Sequence, residues 1–456
     1  MSRLYSRFLT HGILLGSCPF FYVAACAEQT SPPPSRQVAP ADGAVEQLDL
    51  ERLGDSLLES GTMEPATLDA AEAAVDPLPV TGGGRQPRAG RWKVAPHFEL
   101  KATYDDNIFI TSDNQVEDFI VAASPGLRVG YWDYEEEMEL YLDRNRSASV
   151  LDKGVGNFLV LDYTATLLGF AKTSSQNTMD QKALFDTRWH LAKLDIAGGC
   201  HFVSTSEADR DLGGRVRRNT LTTEVTASYQ FSERLTGEVG LANVIADPEG
   251  FTGSVEWRNE DYVDYQVTPL LRAGLGGAVG RIAVEDSADQ VFERILGRVN
   301  YEATGKLGLR VRGGVEFRQS DGTLGDRMDP VFDGSVRYAP AEATLIVFEG
   351  FRRVEISAAH PDDIYTTTGC ALRFERTLRA GLQFSVEGGY AHADYAESFG
   401  DARRKDDFFY VRAGVLYNFA RWGNVGLGYE YRSNSSSRAS SSFENTRITV
   451  QAGLSF

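Results

Sequence analysis

The sequence predicts an all-β fold: a transmembrane up-and-down antiparallel β-barrel of about 16–18 strands, behind a disordered N-terminal periplasmic segment. Three observations predict it. From about Pro96 to Phe456 apolar and polar residues alternate with period two, the pattern of strands whose side chains point to opposite faces. The alternating stretches run about 10–13 residues, against ~5–6 for an ordinary globular strand and ~9–11 for a tilted strand that crosses a bilayer. The connections come in two sizes, short turns and longer polar loops, as in the turns and external loops of a membrane barrel.

In chain order, the first element is a leader. Arg3 and Arg7 supply a positive end, and "GILLGSCPFFYVAACA" supplies an apolar core and small residues, so residues 1–27 read as a signal peptide. Two cleavage readings stand. Ala25-Cys26-Ala27 is a small-x-small site that starts the mature chain at Glu28, whereas "VAAC" (23–26) resembles a bacterial lipobox that would make Cys26 a lipidated N-terminus. Residues 28–94 hold "SPPPS", "APADG" and "TGGGRQPRAG", a Pro/Gly/acidic composition that buries too little apolar surface to fold alone. They read as a disordered linker, with 45–60 patterned as one short amphipathic helix, and the barrel is expected over 95–456.

The strand run carries the fold. "LGLRVRGGVEF" (307–317) sets Leu307, Leu309, Val311, Val315 and Phe317 against Arg310, Arg312 and Glu316. "TLTTEVTASYQF" (220–231), "FYVRAGVLYNF" (409–419) and "VGLGYEYR" (425–432) repeat the scheme. Short turns are expected at 302–306, 339–342, 376–379 and 420–423, and long loops at 319–329, 354–363, 394–407 and 433–442. Tyr301, Tyr338, Phe374, Phe419 and Trp422 crowd the strand ends beside the short turns, where rings form the headgroup-level girdle of a barrel. Counted back from Phe456, the strands alternate cleanly to about residue 218. Between 156 and 204 the pattern does not fix the turns, and the even strand number of bacterial barrels sets the range.

The last strand, "NTRITVQAGLSF" (445–456), alternates to its end on an aromatic. A closed barrel pairs its last strand with its first, so this strand needs the same two faces as its neighbours. It resembles the C-terminal signal of bacterial outer-membrane proteins, with Ile448, Val450, Ala452, Leu454 and Phe456 at the matching positions. That resemblance implies recognition by the barrel-assembly machinery.

"YDDNIF" (104–109) followed by "SPGLRVGY" (124–131) resembles the opening of the outer-membrane β-barrel porin type 2 group. "YQVTPLLRAGLGGAVG" (265–280), "GVEFRQSDG" (314–322), "FRRVEIS" (351–357) and "YEYRSNSS" (429–436) are similar to further blocks of that group, so the resemblance covers about 96–456. It implies a porin-like barrel in the outer membrane, in contact with lipid and lipopolysaccharide. For some members it also implies a link to exopolysaccharide or capsule export, with export components as partners. By their chemistry, Asp105, Asp106 and Asn107 end a strand and bond the local backbone, as Asp and Asn do in turns. The alternative, a cation site with Asp105 and Asp106 as ligands, lacks the spaced oxygens of a calcium loop.

Opposite the apolar residues stand Arg310, Arg312, Arg373, Arg412, Arg432 and Arg447, with Glu316, Glu387 and Glu430. These should face the lumen. They either pair with one another as filling or line a passage whose guanidinium forks grip anionic groups. A net charge of −18 and a pI near 4.9 exclude the basic footprint of a nucleic-acid binder. Cys18, Cys26, Cys200 and Cys370 form no CxxC, and His97, His190, His201, His360 and His392 lie in no hydrolase or metalloprotease pattern. No catalytic, cofactor or metal residues are therefore expected.

The functional expectation is a porin-like barrel associated with exopolysaccharide export or assembly. The alternatives are a diffusion porin for small polar solutes and a non-conducting barrel that acts through its loops. If Phe456 is part of an assembly signal, its deletion impairs membrane insertion in cells far more than refolding in detergent. Equal effects in pulse-chase and refolding assays would make it merely another lipid-facing ring.

Overall fold

The computed structural model describes residues 91–132 and 157–456, apart from 286, 305, 321–324, 342, 360–363, 380, 397–402 and 421. The expected leader, the Cys26 lipidation, the 45–60 helix and His360 lie outside the described residues. Eighteen long strands form one antiparallel sheet that closes on itself, the upper end of the expected range. They are β1 (Arg91–Asp105), β2 (Asp118–Trp132), β3 (Phe158–Phe170), β4 (Thr178–Leu191) and β5 (Leu194–Thr205). Two-residue strands β6 (Ala208–Asp209) and β7 (Gly214–Arg215) pair with each other within a loop. The sheet continues with β8 (Arg218–Gln230), β9 (Leu235–Pro248), β10 (Ser254–Thr268), β11 (Leu271–Val284), β12 (Gln290–Thr304) and β13 (Leu307–Ser320). It ends with β14 (Arg327–Ala341), β15 (Thr344–Ile356), β16 (Ile364–Arg379), β17 (Leu382–Tyr395), β18 (Lys405–Ala420), β19 (Gly423–Ser436) and β20 (Phe443–Ser455). Each strand of the barrel pairs with its neighbours in sequence, and β20 pairs with β1 from His97↔Ser455 to Asp105↔Arg447.

Strand order follows from alternation, and the outer face shows why. The register aligns Phe384, Val415, Leu427, Val450, Ala102 and Val121 in one outward row that crosses the seam from β17 to β2. Large apolar side chains are exposed all round this surface, with Ile295 and Phe456 each 69% exposed. A soluble protein does not expose so continuous an apolar belt. On β18 the outward rings Phe409 and Phe419 are ten residues apart. At ~3.4 Å per residue and a tilt of ~45° that is about 24 Å of height, close to the ~25 Å lipid-facing band of a barrel. At the short-turn end Tyr301, Tyr338, Phe419 and Trp422 are exposed, and Trp422 stacks on Phe456 with ring centroids 6.4 Å apart.

Three boundaries differ from expectation. β1 opens at Arg91, so Trp92 and Val94, assigned by composition to the linker, are outward strand residues, and Trp92 lies against Tyr131. Their apolar alternation already belonged to the strand. The turn expected at 376–379 is strand, because Leu378 continues the outward row and the chain reverses one step later at Gly381. There φ is +82°, a conformation that glycine adopts without the Cβ penalty. The strands also run into the expected loops, leaving only 321–326, 357–363, 396–404 and 437–442 between them.

The uncountable stretch has a physical explanation as well. β4 and β5 join through Ala192 and Lys193, with Ala192 itself at φ +48°. No Gly, Pro, Asn or Asp punctuates that turn, so the usual signal of reversal is absent. Cys200 on β5 is buried and Cys370 on β16 is exposed, and neither is in a disulfide.

Because Ile295 lies midway along β12 and faces lipid, Ile295→Arg is expected to cost ~2–4 kcal/mol of folding free energy in bilayer vesicles. Urea titration in vesicles measures it, and a loss below about 0.5 kcal/mol would argue that this face meets water instead.

Candidate functional site

The inner wall carries the charge. Alternation sends Arg373, Glu387, Arg412, Glu430, Arg447 and Asp105 inward, and the register sets them in one row across β16, β17, β18, β19, β20 and β1. The signs alternate along it. Arg373 Nε donates to Glu387 at 2.9 Å, Arg412 Nε to Glu430 at 2.7 Å and Arg447 Nε to Asp105 at 2.8 Å. The links between these pairs are longer, 3.8 Å for Arg412 to Glu387 and 3.8 Å for Arg447 to Glu430. Neighbouring strands are ~4.8 Å apart, which places the Arg412 and Arg447 guanidiniums between carboxylates on both sides. A buried charge persists only when it is paired and hydrogen-bonded, and this row meets that condition strand by strand.

The other lumen candidates lie on β13 and β19. Arg312 Nε donates to Asp333 and its Nη1 to Glu260, both at 2.7 Å. Glu316 accepts from Arg294 Nε at 2.7 Å and Arg318 Nε at 2.8 Å. Arg310 stands across from Ser335 and Asn300, one step towards the short-turn end from the Arg312 level. Arg432 Nε donates to Asn445 Oδ1 at 2.7 Å. One further cluster was missed at the sequence level. Arg298 on β12 donates to Glu238 at 2.7 Å and forks onto Asp264, reaching past β11. It can do so because residue 274 between them is Gly, where a Cβ would collide with Asp264 Oδ1. The same alternation applied to β10 and β12 would have found Asp264 and Arg298, but their pairing across an intervening strand has no sequence signal.

A loop crosses this lumen. Residues 206–217 leave β5, form the β6–β7 hairpin and return to β8. By strand order β17 is the ninth strand from β8 one way round and the eighth from β5 the other, so it stands on the opposite wall. The loop nevertheless reaches it. Asp211 accepts hydrogen bonds from Ser357 Oγ at 3.0 Å, Ala358 N at 2.8 Å and Tyr395 OH at 3.1 Å. Ala208 is buried among Ile110, Phe408 and Phe443, and the Arg210 guanidinium lies 4.8 Å over the Phe408 ring. Asp209 holds the turn by accepting from Asp211 N and Leu212 N at 2.8 and 3.0 Å, and it pairs with Arg218. The loop is therefore anchored on both walls at the long-loop end.

The Asp-Asp-Asn segment proves to be a seam. Asp105 is 0% exposed and accepts from Arg447 Nε, from Asn445 Nδ2 at 2.6 Å and from Asn107 N at 3.0 Å. Asp106 accepts from Thr446 N at 2.7 Å, and Asn107 Nδ2 donates to Glu444 O at 3.0 Å. The turn reading holds for the Asp105–Asn107 bond and for Asn107, which accepts from Thr111 N at 3.0 Å and donates to Thr111 O at 2.9 Å, while the partners at 444–447 belong to β20. The cation alternative fails on this geometry, since protein donors take the Asp105 oxygens. Among the described residues no group of three or more His, Cys, Asp or Glu gathers to hold a metal.

Comparison with known proteins finds one matching family model. Residues 296–456 match the family model described as "Putative beta-barrel porin 2". No curated protein matches the chain. Similar solved structures include three from Pseudomonas aeruginosa. OpdK with vanillate is 13% identical, with a TM-score of 0.42, over 80% of this chain and 99% of that one. OccK3 (OpdO) is 14% identical, with a TM-score of 0.41, over 80% and 96%. OccK2 (OpdF) in complex with glucuronate is 11% identical, with a TM-score of 0.43, over 80% and 98%.

Removing one partner from a buried pair costs ~3–5 kcal/mol because the other charge is stranded. Asp105→Ala is expected to lose about that much in urea unfolding, and Arg447→Met added to it is expected to cost much less than the two single losses summed. Additive losses would show that the two residues do not act as a pair.

Proposed function

Taking the chain as a porin-like barrel of the bacterial outer membrane, its C-terminal part matched by the porin 2 family model, we propose that it is a diffusion porin of restricted bore for small polar solutes. The observation that carries this reading is the crossing loop, pinned by Asp211 to Ser357, Ala358 and Tyr395 on the far wall. A loop tied to both walls divides the mouth, and a divided mouth suits small solutes better than a polymer strand. The paired charges of the wall hydrate a polar solute while leaving little net field of one sign along the row.

Association with exopolysaccharide export is the second reading. It is favoured by the sequence blocks that resemble the porin type 2 group and by the inward guanidiniums, which suit acidic sugars. On this reading the loop must leave the mouth for a polymer to pass.

Planar-bilayer recordings in potassium chloride test the proposal. The intact barrel is expected to open small, steady channels. Asp211→Ala is expected to make them larger or noisier, and a barrel lacking 207–216 to conduct severalfold more. Equal conductance in all three would remove the loop as the restriction, and no conductance in any would leave a barrel that acts through its surface.

A further inference from the structure

The join between β14 and β15 stops short of the long-loop end. It runs from Ala341↔Thr344 to Phe332↔Arg352, and beyond that step 327–331 and 353–356 do not pair with each other. Their other neighbours do stay paired, β13 with β14 to Arg318↔Arg327 and β16 with β15 to Ile364↔Ile356. The split begins six residues above Tyr338, which at ~3.4 Å per residue and a tilt of ~45° is about 14 Å up, in the outer half of the lipid band. Side chains cover backbone oxygens along it. Arg352 Nε donates to Pro330 O at 3.2 Å and Arg318 Nη2 to Val354 O at 3.4 Å, and Pro330 has no N–H to leave unfilled. The freed strand end leans into the lumen. By alternation Val354 and Ile356 continue the outward set of Phe348, and Ile364 that of Cys370 and Leu372. Yet Val354 and Ile364 are buried with Tyr262, Ala278, Leu296 and Val331, and Ile356 packs against Ile282, Val284 and Phe292. Those partners belong to the inner wall, since Val263, Val279, Ile295 and Phe332 beside them are exposed outside. The crossing loop ties the leaning end down. Asp211 accepts from Ser357 Oγ at 3.0 Å, Ala358 N at 2.8 Å and Ala359 N at 3.3 Å, and Thr252 N donates to Ala358 O at 3.2 Å.

We propose that the long-loop ends of β15 and β16 form a gate with two positions, hinged at the Phe332↔Arg352 step. In the inward position Val354, Ile356 and Ile364 rest on the inner wall and Asp211 latches the end to the crossing loop. In the outward position β15 pairs on with β14 in the same register, which sets Pro330 opposite Val354 and Met328 opposite Ile356. The end then leaves the lumen. The same three apolar side chains suit both positions, meeting the inner cluster in one and lipid in the other. Lipid offers an open strand edge nothing to bond, so completed pairing offsets the bonds lost at Asp211. Two packings whose contacts compensate in this way make a bistable element. The inference rests on the porin-like reading only for what the wider lumen passes.

Disulfide trapping tests the gate without any need for transport, in the full chain folded in detergent with its four cysteines replaced by serine. Met328 is 68% exposed outside and Ile356 is packed inside, so Met328→Cys with Ile356→Cys joins only in the outward position. Val284→Cys with Ile356→Cys joins only in the inward one. Under mild oxidation the 284–356 disulfide is expected to form readily and the 328–356 disulfide slowly. Asp211→Ala, which removes the latch, is expected to raise the 328–356 yield severalfold. Heat-modifiable gel mobility checks that each variant is a folded barrel. If Asp211→Ala does not fold, the locked barrels decide in planar bilayers, where the 328–356 lock is expected to conduct more than the 284–356 lock until both are reduced. Absence of the 328–356 disulfide where the 284–356 disulfide forms, or equal conductance of the two locks, overturns the proposal. A 328–356 disulfide in a barrel that never conducts would sink the porin reading and leave the gate standing, and a conducting barrel that never forms it would do the reverse.

Discussion

Pairing between β20 and β1 is the contact on which the rest of this structure depends. In hydrocarbon an unpaired N–H or C=O has no water to turn to, so a sheet can cross a membrane only when its two edges meet. Here they meet from His97↔Ser455 to Asp105↔Arg447, and side chains clasp the loop end of the join. Asp105, Asp106 and Asn107 hold Asn445, Thr446 and Arg447 across about 340 residues of chain. Such a contact gives nothing until the other strands are in place, because closing so long a loop costs entropy that only completed strand pairs repay. The clasp also sets register, and a slip by one residue would turn every lipid-facing side chain of β20 inward.

Closure creates two environments from one alternating sequence. Outside, the rows of Val, Leu, Ile and aromatic residues meet lipid. Inside, the same strands present arginines and carboxylates in positions that water alone does not solvate. The wall answers with paired charge. From Arg373 to Asp105 each inward position is opposite in sign to the next, and the row passes through the seam without a break. Where the pairing must span a strand, as from Arg298 to Asp264, Gly274 makes room for it.

The crossing loop uses that wall as an anchorage. Its acidic residues meet groups that the wall presents: Asp211 on Ser357 and Tyr395, Glu207 near Arg447. Its Ala208 is buried in an apolar cluster with Ile110, Phe408 and Phe443.

The architecture was legible because a membrane strand obeys a local rule: every second residue must suit lipid, over a length set by the bilayer. Compartment, strand length, the two classes of connection, and the inward placement of Arg312, Arg373, Arg412 and Arg447 all follow from that rule. The count failed where the rule has no marker, at Ala192 between β4 and β5, and the turn at 376–379 was misplaced because Gly381 lies one step further on. The partners of the inward charges were not legible. Which carboxylate Arg298 reaches depends on shear and on a missing Cβ, and Asp105 finds Arg447 only after the sheet has curled through a full circle. The crossing loop was hidden for the same reason: as a string, 206–217 is an ordinary polar loop. By itself the sequence determined which face of each strand meets lipid, because that is decided residue by residue. The tertiary structure alone decided which charges neutralise one another and which wall the 206–217 loop reaches, because those contacts join parts of the chain that only closure brings together.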